Sequence, residues 1–385
     1  MSRPVLKQSV PYVLADGGIH FRCAGVMTSL EDPDGRVLAL LRLLDGEHEP
    51  EQVYEELRVA YPDVTLADVR EALADLDESK LIQDATDAGS DFDAEDLQRW
   101  DRNFGFWETY ANLAVSKYEF QRRIRNCKIA VLGIGGVGSH VLLDLIGVGF
   151  TDIRIVDFDK VELSNLNRQV LYGTQFLGQP KVQVAADRAR AFGGKLNLEV
   201  VPERLLSADD VYGVVHDRDL VLGTADAPKL DMMHWLSEGC VRAGAALITG
   251  GVATQAAYMY SVVPGISGCA DCWFESVQRN DPASAMLHRE LRAAEARGER
   301  FGEDTAAFNG LVVLLDAYMV GDAVRLASRV SPPVSVGRVL EVTFHNPQVQ
   351  VAETIERLPD CRVCQSAKPP QWLRWLSDDD RPLPF

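Results

Sequence analysis

Residues 133–138 read Gly-Ile-Gly-Gly-Val-Gly, directly after the apolar run "KIAVL" at 128–132 and directly before the apolar segment 137–149. A strand that ends in such a turn and then opens a helix leaves few folds available. Glycines let backbone N–H groups approach an anion, and the helix N-terminus adds partial positive charge. Asp157 closes the next β-rich run, "DIRIVDF", where a carboxylate can accept both hydroxyls of a ribose. The pattern predicts a nucleotide held over Gly133, Gly135, Gly136 and Gly138, and dehydrogenases are the first class it suggests.

Beyond the turn, short apolar strands keep alternating with helices: "DIRIVDF", Lys181 to Phe192, "LNLEVV", "DLVLGT" and "ALITGG". This β–α alternation predicts an α/β fold, a doubly wound, Rossmann-like and mostly parallel sheet covered on both faces. After Tyr258 the expectation is an antiparallel part and a long charged helix from Ala283 to Arg300. The N-terminal part reads differently. Two β-rich runs flank Gly17-Gly18, a hairpin signal, and three amphipathic helices follow. Val37, Leu40, Leu41 and Leu44 mark the first, Pro50, Val53 and Leu57 the second, and the Thr65–Asp68 capping signal opens the third before a short strand at Leu81-Ile82. Hairpin plus helices predicts a small winged-helix-like α+β domain over residues 1–85. Residues 84–98 carry six acidic side chains and no basic one, so a solvated linker is expected over 86–98 and the nucleotide domain over 99–385.

Lys+Arg 39 against Asp+Glu 57 leaves a formal charge of −18 over 385 residues, which repels phosphate backbones and acidic lipid surfaces. Nucleic acid and membrane are therefore not expected as partners. The most apolar stretch, Ile129 to Phe150, is interrupted by Ser139, His140 and Asp144 and is too glycine-rich for a spanning helix. Met1 to Gly18 shows no apolar signal core or cleavage site, so a cytoplasmic protein with reduced thiols is expected.

The segment after the second strand redirects the reading. It runs Asp157-Phe-Asp159-Lys-Val-Glu-Leu-Ser164-Asn165-Leu-Asn167-Arg168-Gln169, and Gly178-Gln179-Pro180-Lys181 follows. A hydride-transfer cofactor brings no triphosphate to neutralise, whereas Arg168 and Lys181 suit β- and γ-phosphates while charge shifts onto departing pyrophosphate. Here the chain resembles the ThiF/MoeB family, ATP-dependent carboxylate adenylyltransferases related to ubiquitin-activating enzymes. The likeness runs from about Arg99 to Gln365. It implies that Asp157 binds ribose, that Asn165, Arg168 and Lys181 contact phosphates, and that Asp226 coordinates Mg²⁺. Asp159, Asn167, Gln169 and Thr224 complete the nucleotide site it implies. The family's Asn and Arg that follow the metal aspartate are replaced by Ala227 and Leu230. In Arg99-Trp-Asp-Arg102 the resemblance makes Arg102 a finger reaching the phosphates of a partner subunit. The aromatic residues from Phe104 to Phe120 are read as packing groups rather than a ligand cage.

Cys269-Ala-Asp-Cys272 and Cys361-Arg-Val-Cys364 form two C-x-x-C pairs, and four thiolates suit tetrahedral Zn²⁺ in a closed, structural site. Cys23, Cys127 and Cys240 lie in apolar runs and are expected in the core, and no histidine has a ligand spacing. Family members that carry a partner protein as a thioester need a cysteine after the first pair, and none lies between Cys272 and Cys361. The expected reaction therefore stops at an acyl-adenylate, or passes it to a nucleophile other than an enzyme thiol.

The N-terminal domain resembles precursor-peptide recognition domains of enzymes that tailor ribosomally made peptides, including the peptide clamp of microcin C-type adenylating enzymes. The combined reading is an ATP- and Mg²⁺-dependent homodimer that adenylates a carboxylate of a ribosomally made precursor peptide. Two alternatives stand beside it: an adenylyltransferase for a sulfur-carrier protein, and a catalytically silent leader-binding scaffold.

Overall fold

The computed structural model describes residues 2–23, 25–228, 230–299 and 306–377. The chain divides into two compact units, one reaching Arg123 and the other beginning at Ile124.

In the first unit Tyr12–Ala15 and Gly18–Cys23 pair antiparallel around Gly17, whose φ of +73° only glycine adopts freely. A third strand, Val26–Glu31, joins them on the other side. The sequence hid it because most of its side chains are exposed. Helices Arg36–Leu43, Pro50–Ala60 and Leu66–Glu78 follow as expected. Thr65 caps the last by accepting the Asp68 N–H at 3.2 Å, while its own N–H donates to the Asp68 carboxylate at 2.8 Å. The helices bury Leu40, Leu41, Val53, Leu57, Val69 and Leu73 against Ile19 and Phe21 of the sheet. Ile82–Asp84 then pairs with Pro4–Leu6.

The acidic segment read as a linker is folded within this unit. Arg122 donates to both oxygens of Asp87 at 2.7 Å and to Asp91 at 2.9 Å, so one guanidinium offsets two carboxylates. Asp93 caps the helix Ala94–Arg99. Phe92 is buried against Trp100 and Phe104, with ring centroids 6.2 and 5.3 Å away. The aromatic residues, expected to pack on the sheet or on a second subunit, pack on one another instead.

The second unit is built on an eight-stranded sheet. Asn197–Val201, Asp152–Val156, Lys128–Leu132, Leu220–Gly223 and Ala246–Ala253 run parallel in that spatial order. Ala256–Val262, Arg338–Thr343 and Asn346–Thr354 extend it antiparallel. Ile129, Val131, Ile153, Ile155, Val221 and Leu247 are fully buried, which the continuous apolar runs anticipate. The charged helix is Pro282–Ala296 and is preceded by Ala270–Asn280; Arg300 lies outside the described residues. Sequence periodicity misses Asn309–Ser328, whose exposed face also carries apolar residues such as Val313 and Leu314 while Asp316 and Asp322 are buried, so the apolar pattern makes only a weak 3.6-residue stripe. Cys127 and Cys240 are core residues, and the Cys23 side chain lies outside what is described. Among the described residues no helix is long and apolar enough to cross a membrane.

The chain moves outward from Lys128–Leu132 through two strands and then returns to place Leu220–Gly223 on its other side. That reversal is a topological switch point, the place where parallel sheets leave a crevice beyond the strand ends.

Candidate active site

The glycine turn sits at the switch point, and its glycines do different work. Gly133 has φ +93°, and a Cβ there would lie 2.7 Å from the Ala225 nitrogen. At Gly138 a Cβ would come within 2.0 Å of the Gly133 carbonyl, so the helix Gly136–Val148 approaches the strand end only because no side chain intervenes. Gly135 differs. The nearest atom to its Cβ position is the Gln169 amide at 3.9 Å. Packing alone would tolerate a methyl there, and the open face is what an anion cradle requires.

Side chains hold the turn from behind. Thr224, at the end of Leu220–Gly223, donates its hydroxyl to the Gly133 carbonyl at 2.6 Å. Asp157 accepts the Ile134 N–H at 2.6 Å on one oxygen and the Asp159 N–H at 2.7 Å on the other. Burial pushes its carboxyl above the usual range, opposed by the Ile134 N–H and by Lys181. A carboxylate has about four lone-pair sites, so acceptor capacity remains for ribose hydroxyls. Sequence reasoning misses Tyr172, a buried residue whose hydroxyl donates to the Ile134 carbonyl at 2.8 Å. Nothing in a single Tyr after an apolar pair signals that role.

The basic string wraps beside the turn. Glu162 donates its N–H to the buried Asn165 side chain at 3.0 Å, which shapes the short helical turn Leu163–Asn165. The Arg168 side chain passes Gly136, and its Nη1 donates to the Ser164 carbonyl at 3.2 Å and to the Asn167 side chain at 2.8 Å. With five donors on a guanidinium, this leaves donors for a phosphate. Gln169 is buried with its side-chain oxygen unpaired, an acceptor without a protein partner. Lys181 opens the helix Lys181–Phe192, and its Nζ lies 2.9 Å from the Asp159 carboxylate. The pair keeps a buried ammonium from being stranded. Asp226 is exposed on the loop after Leu220–Gly223, and burial together with the Asp226 charge raises the Tyr258 phenol. Arg102 is on the helix Asp101–Glu108 of the first unit, and its side chain is 98% exposed.

The four cysteines converge from segments about 90 residues apart. Sγ–Sγ distances are 3.8 Å for Cys269–Cys272, 3.5 Å for Cys269–Cys361 and 3.4 Å for Cys272–Cys364, and all four atoms lie within 4.8 Å of one another. A tetrahedral zinc with ~2.3 Å bonds needs edges of ~3.8 Å. The set therefore fits Zn²⁺. The Leu358 N–H donates to the Cys272 sulfur at 3.4 Å, an outer contact that favours thiolate. Burial and the neighbouring thiols push Cys364 up to about 12. A divalent cation reverses that by bonding the thiolates directly.

An anion cradle at the switch point of a doubly wound sheet, backed by a buried acid, defines a nucleotide-binding α/β enzyme. More narrowly, the chain belongs to the ThiF family, whose model matches residues 108–363, and with that family it is an ATP-dependent adenylyltransferase. It is 28% identical over 255 residues to the sulfur carrier protein adenylyltransferase of Thermus thermophilus, covering 64% of this chain and 85% of that one. It is 35% identical over 132 residues to the adenylyltransferase and sulfurtransferase UBA4 of Candida albicans, 34% of this chain and 30% of that protein. The likeness to the MOCS3 protein of Arabidopsis thaliana spans 49% of its length. Among solved structures, Escherichia coli MccB with succinimide superposes with a TM-score of 0.73 at 21% identity, over 95% of this chain and 100% of that one. MccB with AMPCPP and MccA gives 0.72 at 20% identity. PaaA gives 0.66 at 21% identity, over 91% of this chain and all of PaaA.

Proposed function

We propose that this adenylyltransferase activates a carboxylate of a ribosomally made precursor peptide, using ATP and Mg²⁺, as a homodimer. A carboxylate oxygen attacks the α-phosphorus, the bond to the β-phosphate oxygen breaks, and pyrophosphate leaves with the electron pair. Asp157 orients the ribose, and the Gly135–Gly136 backbone meets the phosphates. Arg168 and the free donors of Lys181 take up charge as pyrophosphate departs, assisted by Arg102 of a second copy. Asp226 would hold Mg²⁺, which would neutralise phosphate charge. No cysteine lies between Cys272 and Cys361, so the product leaves as the acyl-adenylate or is attacked by a nucleophile that is not an enzyme thiol.

The observation that carries the peptide reading is the sheet of the first unit. Tyr12–Ala15 is an edge strand with every residue exposed, and Val13, Leu14, Val26 and Met27 are 56 to 62% exposed. An unprotected apolar edge is a template on which an extended peptide can add as a strand. The structural match to MccB, described with MccA in one of its structures, also extends through nearly the whole chain. The second reading, an adenylyltransferase for a sulfur-carrier protein, is favoured by the Thermus relative.

The test is incubation with ATP and synthetic peptides encoded beside this chain's gene, against a sulfur-carrier protein with a C-terminal Gly-Gly. Peptide-dependent ATP–pyrophosphate exchange is expected. Val13→Asp with Leu14→Asp should raise KM for the peptide about tenfold or more and leave ATP affinity unchanged. Exchange with the carrier protein alone would replace the peptide reading with the second. No exchange with either, despite ATP binding, would leave the silent scaffold.

A further inference from the structure

Ile134, fully buried between the first two glycines of the turn, is held at both of its polar backbone groups. Asp157 accepts its N–H at 2.6 Å, and the Tyr172 hydroxyl donates to its carbonyl at 2.8 Å. The same hydroxyl oxygen lies 3.5 Å from the Lys181 carbonyl, so its single proton goes to the nearer acceptor. Tyr172 is itself buried, and it reaches the turn from the segment between Gln169 and the short helical turn Thr174–Phe176. Burial and the charges of Asp157 and Asp159 push its phenol up, so the hydroxyl stays a donor through neutral and mildly alkaline pH.

A bond at this carbonyl decides what the next residue does. A trans peptide is planar, with its C=O and N–H pointing in opposite directions, and the Ile134–Gly135 bond is trans. Holding the Ile134 carbonyl towards buried Tyr172 therefore turns the Gly135 N–H to the other side, and the nearest atom to the Gly135 Cβ position is 3.9 Å away. Gly135 is the N-cap of the helix Gly136–Val148, so its N–H belongs to the set that a helix leaves without an internal partner. Glycine also makes this peptide easy to turn over, because either sign of φ is open to it. A flipped peptide would meet an anion with a carbonyl oxygen in place of an N–H.

We propose that Tyr172 is a positioning residue for the nucleotide phosphates: its hydroxyl locks the Ile134–Gly135 peptide so that the Gly135 N–H faces the bound anion. The inference rests on the reading that the turn takes the phosphates of ATP, and it gives Tyr172 no contact with the nucleotide. Asp157 cannot supply this lock. It holds the Ile134 N–H, which belongs to the preceding peptide.

Calorimetry with ATP, inorganic tripolyphosphate and adenosine reads the two halves of the ligand separately. Tyr172→Phe keeps the ring and removes only the donor. It is expected to weaken ATP and tripolyphosphate by about tenfold each and leave adenosine unchanged. Unchanged tripolyphosphate affinity in this variant overturns the proposal, and so does an equal loss for adenosine, the mark of a site that has merely loosened. A second measurement needs no variant. Ile is followed by Gly only at Ile134 and Ile146, so isotope labelling of Ile carbonyl carbons together with Gly amide nitrogens resolves the Gly135 amide by magnetic resonance. Its proton should move downfield when tripolyphosphate binds, and an unmoved resonance with tripolyphosphate bound also overturns the inference. Failure of the unaltered protein to bind ATP or tripolyphosphate would instead remove the nucleotide reading on which it rests.

Discussion

Asp157 accepts the Ile134 N–H at 2.6 Å, so the carboxylate at the end of one strand holds the glycine turn at the end of the next. In the site proposed above, the residue that would bind the ribose also holds the backbone that would meet the phosphates. On that proposal the binding of sugar and of phosphate would be coupled through one side chain that already fixes the turn.

Two glycines of that turn should respond oppositely to the same change. Gly138→Ala places a Cβ 2.0 Å from a carbonyl oxygen, and a loss of about 3 kcal/mol is expected. Gly135→Ala meets nothing closer than 3.9 Å and should leave the melting temperature unchanged while ATP affinity falls. Thermal melts beside calorimetry would show both. A Gly135→Ala protein with full ATP affinity would move the phosphates off this turn.

Arg168→Ala and Asp226→Asn should each reduce substrate-dependent ATP–pyrophosphate exchange by about 10²-fold or more, one by loss of a phosphate donor and the other by loss of a magnesium ligand. Raising Mg²⁺ should partly restore Asp226→Asn and leave Arg168→Ala unaffected. Exchange at the unaltered rate in either would separate that residue from the chemistry.

Arg102 should be tested in mixtures. Arg102→Ala and Lys181→Ala are each expected to be inactive, yet a mixed dimer restores one complete site if the finger crosses between subunits. Recovery towards a quarter of normal exchange is about what random pairing allows. No recovery after demonstrated subunit exchange would confine Arg102 to its own chain or exclude it from catalysis.

Elemental analysis of protein purified without chelator should find one zinc per chain. Cys272→Ser should lower both metal content and melting temperature, the latter by at least ~5 °C, because the ion closes a loop of about 90 residues that is entropically costly to close otherwise. Full stability without zinc would make the cluster four buried thiols and nothing more.

The Arg122 guanidinium, opposed by partial burial, holds the Asp87 carboxyl well below its usual range. A lowered folded value contributes stability above the unfolded value near 4 and loses it as pH falls through the folded one. Asp87→Asn should therefore cost about 1–2 kcal/mol at pH 7 and progressively less below pH ~4. Urea unfolding of the whole chain, followed at both pH values, provides the comparison. An equal loss at both would assign the effect to packing instead.

Local chemistry makes much of this protein legible in its sequence. Gly133 to Gly138 after an apolar strand, Asp157 at the next strand end and the paired C-x-x-C spacings all act over a few residues. Turn geometry and ligand count depend on residue type and spacing alone, and the sequence contains both. The three N-terminal helices are readable for the same reason, since their apolar positions recur at the helical period. Everything else depends on neighbours distant along the chain. Arg122 folds the acidic segment 86–98 back into a unit because a guanidinium remote in sequence meets Asp87 and Asp91. Asn309–Ser328 carries apolar residues such as Val313 and Leu314 on its exposed face as well as on its buried one, so its period is faint in the sequence although its burial is one-sided. Tyr172 is an ordinary residue until its segment closes behind the glycine turn. Its hydrogen bond to Ile134, 38 residues away, spans a distance that no local spacing sets, and only the assembled tertiary structure decides it.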